Sequence, residues 1–392
     1  MVVAILACVA VLGDPSTTYD GLTLDEWRER MKSLELDNPE SRSAVSGMVA
    51  IVKDTDVPWF TRRQAALTLG RLGPIAEDAV PVLGAILKEP DAGNSTRIWI
   101  GKALALFGAE AATVAPTAIE ILQTDQSSLG EKQVMIELLG RIGSRHPQAL
   151  PALIETLGMP PPADKNAARD VNTLRALAGE SLATVGSDAI AAVPALTRTL
   201  YDENELVRRR AVEALGAIGP AASVSQSALL ETMIFDESAA VRDSAAVSLS
   251  DIGPAVMESV TGLLADRDPE VRTRAAGILG RLGPKASASV VRLEELLNDE
   301  AASVRIQAIE AIWQITEEAK TVIPAAITAL AETDRQHRIR AYRLLIEIGQ
   351  SAPGIVREAL TKVENDSRPT VRQAARKVLR TLDEAKSKSA QN

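Results

Sequence analysis

The chain has 392 residues, of which 46% are hydrophobic, and a net charge of −9. The single cysteine, Cys8, excludes a disulfide framework or a thiolate metal site within one chain. Aromatics make up only 3%, so the apolar mass is Ala, Leu, Val and Ile, which suits close helix packing and leaves few stacking platforms for single-stranded nucleic acid.

Charge is uneven. From Arg335 onward Lys and Arg exceed Asp and Glu by 7, so the rest of the chain carries −16. An acidic body repels phosphate over most of its length, and no nucleic-acid partner is expected. The basic end reads as a solvated last repeat, with docking of an acidic partner as the alternative.

Met1 to Gly13 reads MVVAILACVAVLG. The run has the length of a signal-peptide hydrophobic region and is too short to span a bilayer. Export to the periplasm or envelope is therefore expected, with a buried N-terminal helix as the alternative, and no transmembrane helix. Ile5-Leu6-Ala7-Cys8 also resembles a bacterial lipobox.

Next come capping helices over 14–55. Thr23 to Glu26 is a capping-box start for a helix carrying Trp27 and Met31. Asn38-Pro39 supplies the N-cap and first turn of a second helix running to about Lys53.

From 56 to 383 the sequence repeats. Gly73, Gly108, Gly143, Gly186, Gly219, Gly253, Gly283 and Gly349 close similar phrases such as LTLGRLG and EALGAIG. Eleven residues before each stands Arg62, Arg97, Lys132, Arg175, Arg208, Arg242, Arg272 or Arg338. Arg305 and Arg372 keep this register although their units lose the Gly, to Thr316 and Asp383. Six residues before the register position there is an acid in eight of ten units, among them Asp56, Asp91, Asp202, Asp266 and Asp299; Gln126 and Arg169 are the exceptions. An acid in the turn and an Arg early in the next helix predict an ion-pair ladder that fixes register.

Each unit reads as two helices. Around Arg208, the residues Val207, Ala211, Ala214, Leu215 and Ile218 recur at helical spacing. The closing Gly suits a left-handed position after the helix. Pro81, Pro116, Pro151, Pro194 and Pro324 open second helices. Such a unit cannot bury its apolar stripe alone, so it stacks on its neighbours. The fold class is all-α: an α-solenoid of about ten two-helix units, with a disordered tail over 384–392.

The phrase D-x5-R-x2-A-A-x2-L-G-x-(I/L)-G followed by a Pro-led helix resembles the HEAT-like repeats named from phycobilisome lyases, over roughly residues 56 to 383. Tyr19 to Trp27 resembles the stretch that follows export signals in some bacterial HEAT-repeat proteins. The resemblance implies architecture more than function. Its members include bilin lyase subunits, a metal-dependent hydroxylase, DNA-repair glycosylases and bacterial binding proteins.

The residues argue against each chemistry. The hydroxylases bind iron through repeated His-Glu pairs, but neither His146 nor His337 is followed by Glu, and each reads as a solvated linker residue. Glu294-Glu295 and Glu317-Glu318 lie on predicted helices, where adjacent side chains diverge rather than face each other across a cleft. No phosphate-binding Gly loop or nucleophile elbow is present. The repeats have no Cys and few aromatics to wall a bilin pocket, and the acidic body lacks the basic groove of a glycosylase.

Irregular units are the candidate contact points. Met159 to Asn166 is a Pro-rich insertion, expected to be an exposed extended loop around Pro161. Eight residues past the register Arg stand Gly70, Ala105, Gly140, Ala183, Gly216, Ser250 and Gly280, small enough for neighbouring helices to approach closely. Trp313 replaces them in the eighth unit and is expected in the core, with a change of twist near 255–320. Trp59, Phe60 and Trp99 are either an interaction hot spot or, the preferred reading, a seal between cap and first repeats.

The leading expectation is a non-enzymatic scaffold that binds a protein partner, with no cofactor or metal. The candidate interaction residues are Trp59, Phe60, Trp99, Pro161, Trp313, Arg338 and Arg372. The alternatives are a lyase or lyase-accessory subunit acting on a tetrapyrrole, and a structural protein of the cell envelope.

Overall fold

The computed structural model describes residues 17–36, 38–89 and 93–389. Met1–Gly13 with Cys8, Asp91, and residues 390–392 lie outside these. Two compact units make up the chain, Met1–Ile218 and Gly219–Asn392, and each is described by itself.

The first unit opens with a two-residue hairpin, Thr18–Tyr19 (β1) and Leu22–Thr23 (β2). Asp20 and Gly21 turn it with φ of 48° and 81°, the paired positive values that a tight hairpin needs. The hairpin was absent from the sequence expectation. It locks the cap, because the Trp27 indole donates to the Tyr19 carbonyl at 2.8 Å and the Tyr19 hydroxyl donates to Asp54 at 2.6 Å. Burial, with Asp54 and Asp56 nearby, pushes the Tyr19 hydroxyl pKa up.

Helices α1 (Leu24–Ser33) and α2 (Glu40–Lys53) follow. The Thr23–Glu26 capping box is present, and Asn38 Oδ1 accepts the Glu40 amide at 2.9 Å. Then come α3 (Trp59–Leu72), α4 (Val80–Lys88), α5 (Gly93–Phe107), α6 (Ala115–Gln123), α7 (Leu129–Ile142), α8 (Ala149–Leu157), α9 (Lys165–Val185), α10 (Val193–Thr199) and α11 (Glu205–Ile218). First helices stack in the order α3, α5, α7, α9, α11, and second helices α4, α6, α8, α10 beside them. Ser95–Gln123 is apolar enough to cross a membrane by length and composition, but it comprises α5, a 3₁₀ turn beginning at Gly108, and α6. Its Ile100, Leu104, Phe107 and Ala118 are buried in the repeat core.

The second unit continues the pattern with α12 (Gln226–Phe235), α13 (Ala239–Ile252), α14 (Met257–Gly262), α15 (Pro269–Leu282), α16 (Val290–Glu295), α17 (Ala302–Thr316), α18 (Ala319–Ala329), α19 (Arg335–Ser351), α20 (Pro353–Lys362) and α21 (Pro369–Ser389). The tail expected from 384 is helical as far as Ser389. Near 255–320 the local departure is that the second helices α14 and α16 tighten at their ends into 3₁₀ turns, Leu263–Ala265 and Leu296–Asn298.

Small residues at the crossing positions act as expected. A Cβ on Gly70 would lie 2.5 Å from the Ala103 carbonyl oxygen, and one on Gly140 would lie 2.7 Å from Ser181 Cβ. Gly349 is a third close approach, 2.7 Å from Leu382 Cδ1, and it does not end its helix: α19 runs on to Ser351. The closing glycines correct the expectation of a left-handed cap. Gly283 has φ 61° and ψ −142°, and Gly253 has φ 90° and ψ −154°. Positive φ with extended ψ is a conformation for glycine almost alone. It turns the chain directly into the 3₁₀ segment that leads to the second helix.

The unit without a closing Gly solves the turn differently. Helix α17 ends at Thr316, and Glu317 takes the left-handed position with φ 53° and ψ 21°. Glu317-Glu318 is therefore a turn, not helix. The next helix starts at Ala319, so Pro324 lies inside α18 instead of opening it. Pro81, Pro116 and Pro194 do sit in the first turn of α4, α6 and α10.

These backbone states predict opposite shifts in equilibrium urea unfolding. Gly283→Ala lowers stability by about 1–3 kcal/mol, because Ala cannot adopt the Gly283 conformation. Glu317→Gly raises it by about 1 kcal/mol by relieving a left-handed non-glycine residue. Midpoints that move together, or not at all, contradict this account.

Candidate interaction surface

The register Arg side chains come first, because they decide which polar groups face neighbouring repeats. Arg208 donates from one terminal nitrogen to the Asp202 and Glu203 carbonyls at 2.8 and 3.2 Å. Arg272 does the same to the Asp266 and Arg267 carbonyls at 2.9 and 3.1 Å. Arg242, Arg305, Arg338 and Arg372 repeat the pattern, always to the residues six and five positions earlier. The expected ladder exists, but offset by one repeat. These arginines clamp the backbone of their own turns, and in three places a register arginine also reaches the acid of the following turn. The pairs are Arg175 with Asp202, Arg272 with Asp299, and Arg305 with Glu332. The carboxylate in turn accepts the amide two residues on, as Asp299 does from Ala301 at 2.9 Å. Arg338 and Arg372, proposed from the sequence as contact residues, are thus engaged in their own turns.

Two turns differ from the sequence register. The acceptor that bonds the amide two residues on is Asp54, not Asp56, and Thr124, not Gln126. These turns are two residues longer, so the equivalent position moves to eight before the register residue. Arg62 donates to the Val52 carbonyl at 3.0 Å, and burial lowers its pKa against the opposing pull of Glu89 and Asp54. Arg97 donates to the Glu89 carbonyl at 3.0 Å and to the buried Glu131 at 3.3 Å. Burial would push the Glu131 carboxyl up, but hydrogen bonds from Ser128 and from Arg97 hold it below the usual range.

The sequence-proposed aromatics separate. Trp99 is 5% exposed, with the Arg62 guanidinium 5.9 Å from its ring, so it does seal the core. Trp59 is 61% exposed and Phe60 39%. The buried residues of α3 are Thr61, Ala65, Ala66, Thr68, Leu69, Gly70 and Leu72. Trp59 is the first residue of the helix, one turn or more ahead of Ala66 and Gly70 on its own side, and its ring stands exposed there. The seal reading therefore fails for Trp59. Its ring meets Phe60 edge-on at 6.3 Å, and Arg28 from α1 lies 5.0 Å over Phe60. Trp313 is 6% exposed and donates to Glu347 at 2.9 Å, as the core reading required.

Pro161 lies in an exposed coil, but the insertion is shorter than expected. Asp164 caps the helix by accepting the Asn166 and Ala167 amides, and the remaining extra residues lengthen α9 to 21 residues. His337 lies within α19 and is half-buried, not in a linker. Sequence reasoning missed the exposed Tyr201 in the first unit and the exposed Phe235 in the second. Each directly precedes a turn acid, Asp202 or Asp236, a signal that was available in the repeat register. Among the described residues no group of three or more His, Cys, Asp or Glu is placed to hold a metal ion.

Asp299 gives the ladder a pH signature. Burial would raise its carboxyl pKa, but Arg272, the Ala301 amide and the Arg305 charge pull it below the ordinary value. A depressed folded value means that the stabilisation is complete above the unfolded value of about 4 and disappears as pH falls through the folded one. Asp299→Asn should cost about 3 kcal/mol at pH 7, because Arg272 is left buried without its counter-charge. The gap between variant and parent should close as urea unfolding is repeated from pH 5 downward; a pH-independent gap contradicts the ion pair.

Residues 165–250, 227–313 and 258–331 match the family model described as HEAT repeats. No curated protein matches the chain. Among solved structures the chain is similar to Kap95p, from a complex with RanGDP, at 14% identity and TM-score 0.51, over 92% of this chain and 55% of that one. It is also similar to the complex of CpcE and CpcF of phycocyanin lyase from Nostoc sp. PCC7120, at 21% identity and TM-score 0.35, over 63% of this chain and 91% of that one. An engineered protein aligns at 20% identity and TM-score 0.38, over 86% of this chain and 98% of its own. The Kap95p likeness shows the fold alone, and the other two scores are too low to argue from. Residues 165–331 match HEAT repeats directly, and with the same Arg register in helix pairs on both sides the chain is an α-solenoid of such two-helix units.

Proposed function

We propose that the chain is a non-enzymatic scaffold that holds a protein partner through side chains displayed by its repeats, with Trp59 as a principal contact. The observation that carries this reading is the exposure of Trp59 at the start of α3, edge-on to Phe60, over which Arg28 lies. Trp and Arg are the residue types that most often concentrate binding energy at protein interfaces. In a chain with only ten aromatic residues, an outward Trp backed by Phe and Arg is a costly surface for water to cover. Kap95p, which shares the fold, is itself described in complex with RanGDP, and stacked helix pairs suit such multivalent contact.

The test has two arms. A photo-crosslinker placed at position 59 in the native host identifies the partner, and calorimetry compares its affinity for the parent chain and Trp59→Ala. The substitution leaves stability within about 0.5 kcal/mol, because the Trp59 side chain is exposed. It weakens the partner by about thirtyfold or more, as loss of a central interface aromatic does. Equal affinity in the two chains, or no protein adduct at position 59, sinks the reading.

A further inference from the structure

The Arg ladder has a vacant position. In the pairs Arg175–Asp202, Arg272–Asp299 and Arg305–Glu332 the acid lies 27 residues after the arginine. The residue 27 positions after Arg97 is Thr124. Its hydroxyl accepts the Gln126 amide at 3.4 Å, the same bond that Asp202 and Asp299 make to the amide two residues on. Thr124 therefore occupies the place of the ladder acid and brings no carboxylate.

The consequences are visible around it. Arg272 and Arg305 both donate from Nε to the acid of the following repeat, at 2.8 and 3.2 Å. Arg97 Nε is buried and, among the described residues, finds no hydrogen-bond partner. Ser127 Oγ, three residues past Thr124, is buried without a partner as well. A buried donor left unsatisfied is destabilising, and two in one place call for an explanation. Both residues line a groove of about 350 Å³ with Lys88, Glu120, Thr124 and Gln126. The corresponding groove at the Arg305 pair, about 310 Å³, is lined by Glu332, the carboxylate that satisfies Arg305.

We propose that the groove at Arg97 binds a single carboxylate, supplied by an aspartate or glutamate side chain of a partner protein, which completes the ladder from outside. Arg97 Nε and Ser127 Oγ donate to it, and Lys88 adds positive charge at the wall. One negative charge fits better than two. Glu131 already faces Arg97 and Glu120 stands on the groove wall, so a phosphate dianion meets two carboxylates where a carboxylate adds only one charge. The inference rests on the scaffold reading for its partner, but the groove is tested without that partner.

The probe is a capped pentapeptide, Gly-Gly-Glu-Gly-Gly, titrated into the full chain while the Arg97 Nε–H resonance is followed by NMR. Its Gln counterpart and free acetate are the comparison arms. The Glu peptide should shift the resonance saturably, the Gln peptide should not, and acetate should bind about tenfold more weakly because it lacks the backbone contacts of a chain-borne side chain. Thr124→Asp should move the resonance to the bound position with no ligand added, raise the unfolding midpoint, and abolish the response. Ser127→Ala removes a buried hydroxyl with no partner, so it should raise the unfolding midpoint and weaken the Glu peptide severalfold. An unresponsive Arg97, or equal response to Glu and Gln peptides, overturns the proposal. Acetate binding as tightly as the peptide overturns the assignment to a protein side chain. None of these outcomes depends on Trp59, so failure here and failure of the scaffold reading are distinguishable.

Discussion

Everything regular in this chain depends on one arginine per repeat and what it bonds. The guanidinium has five donors in a fixed plane. In the turns of Asp202, Asp266 and Asp299 one nitrogen holds two successive turn carbonyls, satisfying backbone groups that would otherwise lack partners between helices. Where a following turn supplies a carboxylate, the other donors reach it and tie one repeat to the next. An exposed ion pair would contribute little. Arg272 and Asp299 are both buried, and the same atoms also satisfy backbone groups, so the pair sets register as well as adding stability.

Close approach of first helices is the second constraint, and it explains the composition. Small residues at Gly70, Gly140 and Gly280 leave no room for a Cβ, so neighbouring backbones pack nearly in contact. An Ala- and Leu-rich chain with few aromatics follows from that geometry. Where the pattern breaks, the structure compensates locally. Trp313 fills its crossing position and finds Glu347 for its indole, as a buried Trp must. The missing Gly in that unit is replaced by the left-handed Glu317, at the cost of a strained residue.

Both proposed contact points are departures from the repeat and not products of it. Trp59 is an exposed aromatic at the start of a first helix, and the Arg97 groove is a ladder position without its acid. A perfectly regular array would satisfy its own polar groups and bury its own apolar ones. Specific recognition in such a fold therefore has to come from residues that break the pattern, and these two do so within the first three repeats.

The sequence by itself determined the helix pairs, the Arg register and the two capping helices, but not that the last unit is a single helix or that a hairpin locks the cap. The features it determined are local: periodicity, Gly-Pro stops, capping boxes and small residues act within a few positions and read out directly. It did not determine which acid meets which arginine. Periodicity placed the turn position at Asp56 and Gln126, whereas turns two residues longer move the role to Asp54 and Thr124. Loop length is set by how neighbouring helices pack, so the shift was legible only in three dimensions. The pairing of Arg with the acid 27 residues later, the exposure of Trp59, and the unsatisfied Arg97 and Ser127 likewise exist only once repeats are stacked. Sequence specifies a repeat through contacts inside it, while the contacts between repeats, where binding groups become satisfied or left open, are decided by tertiary packing.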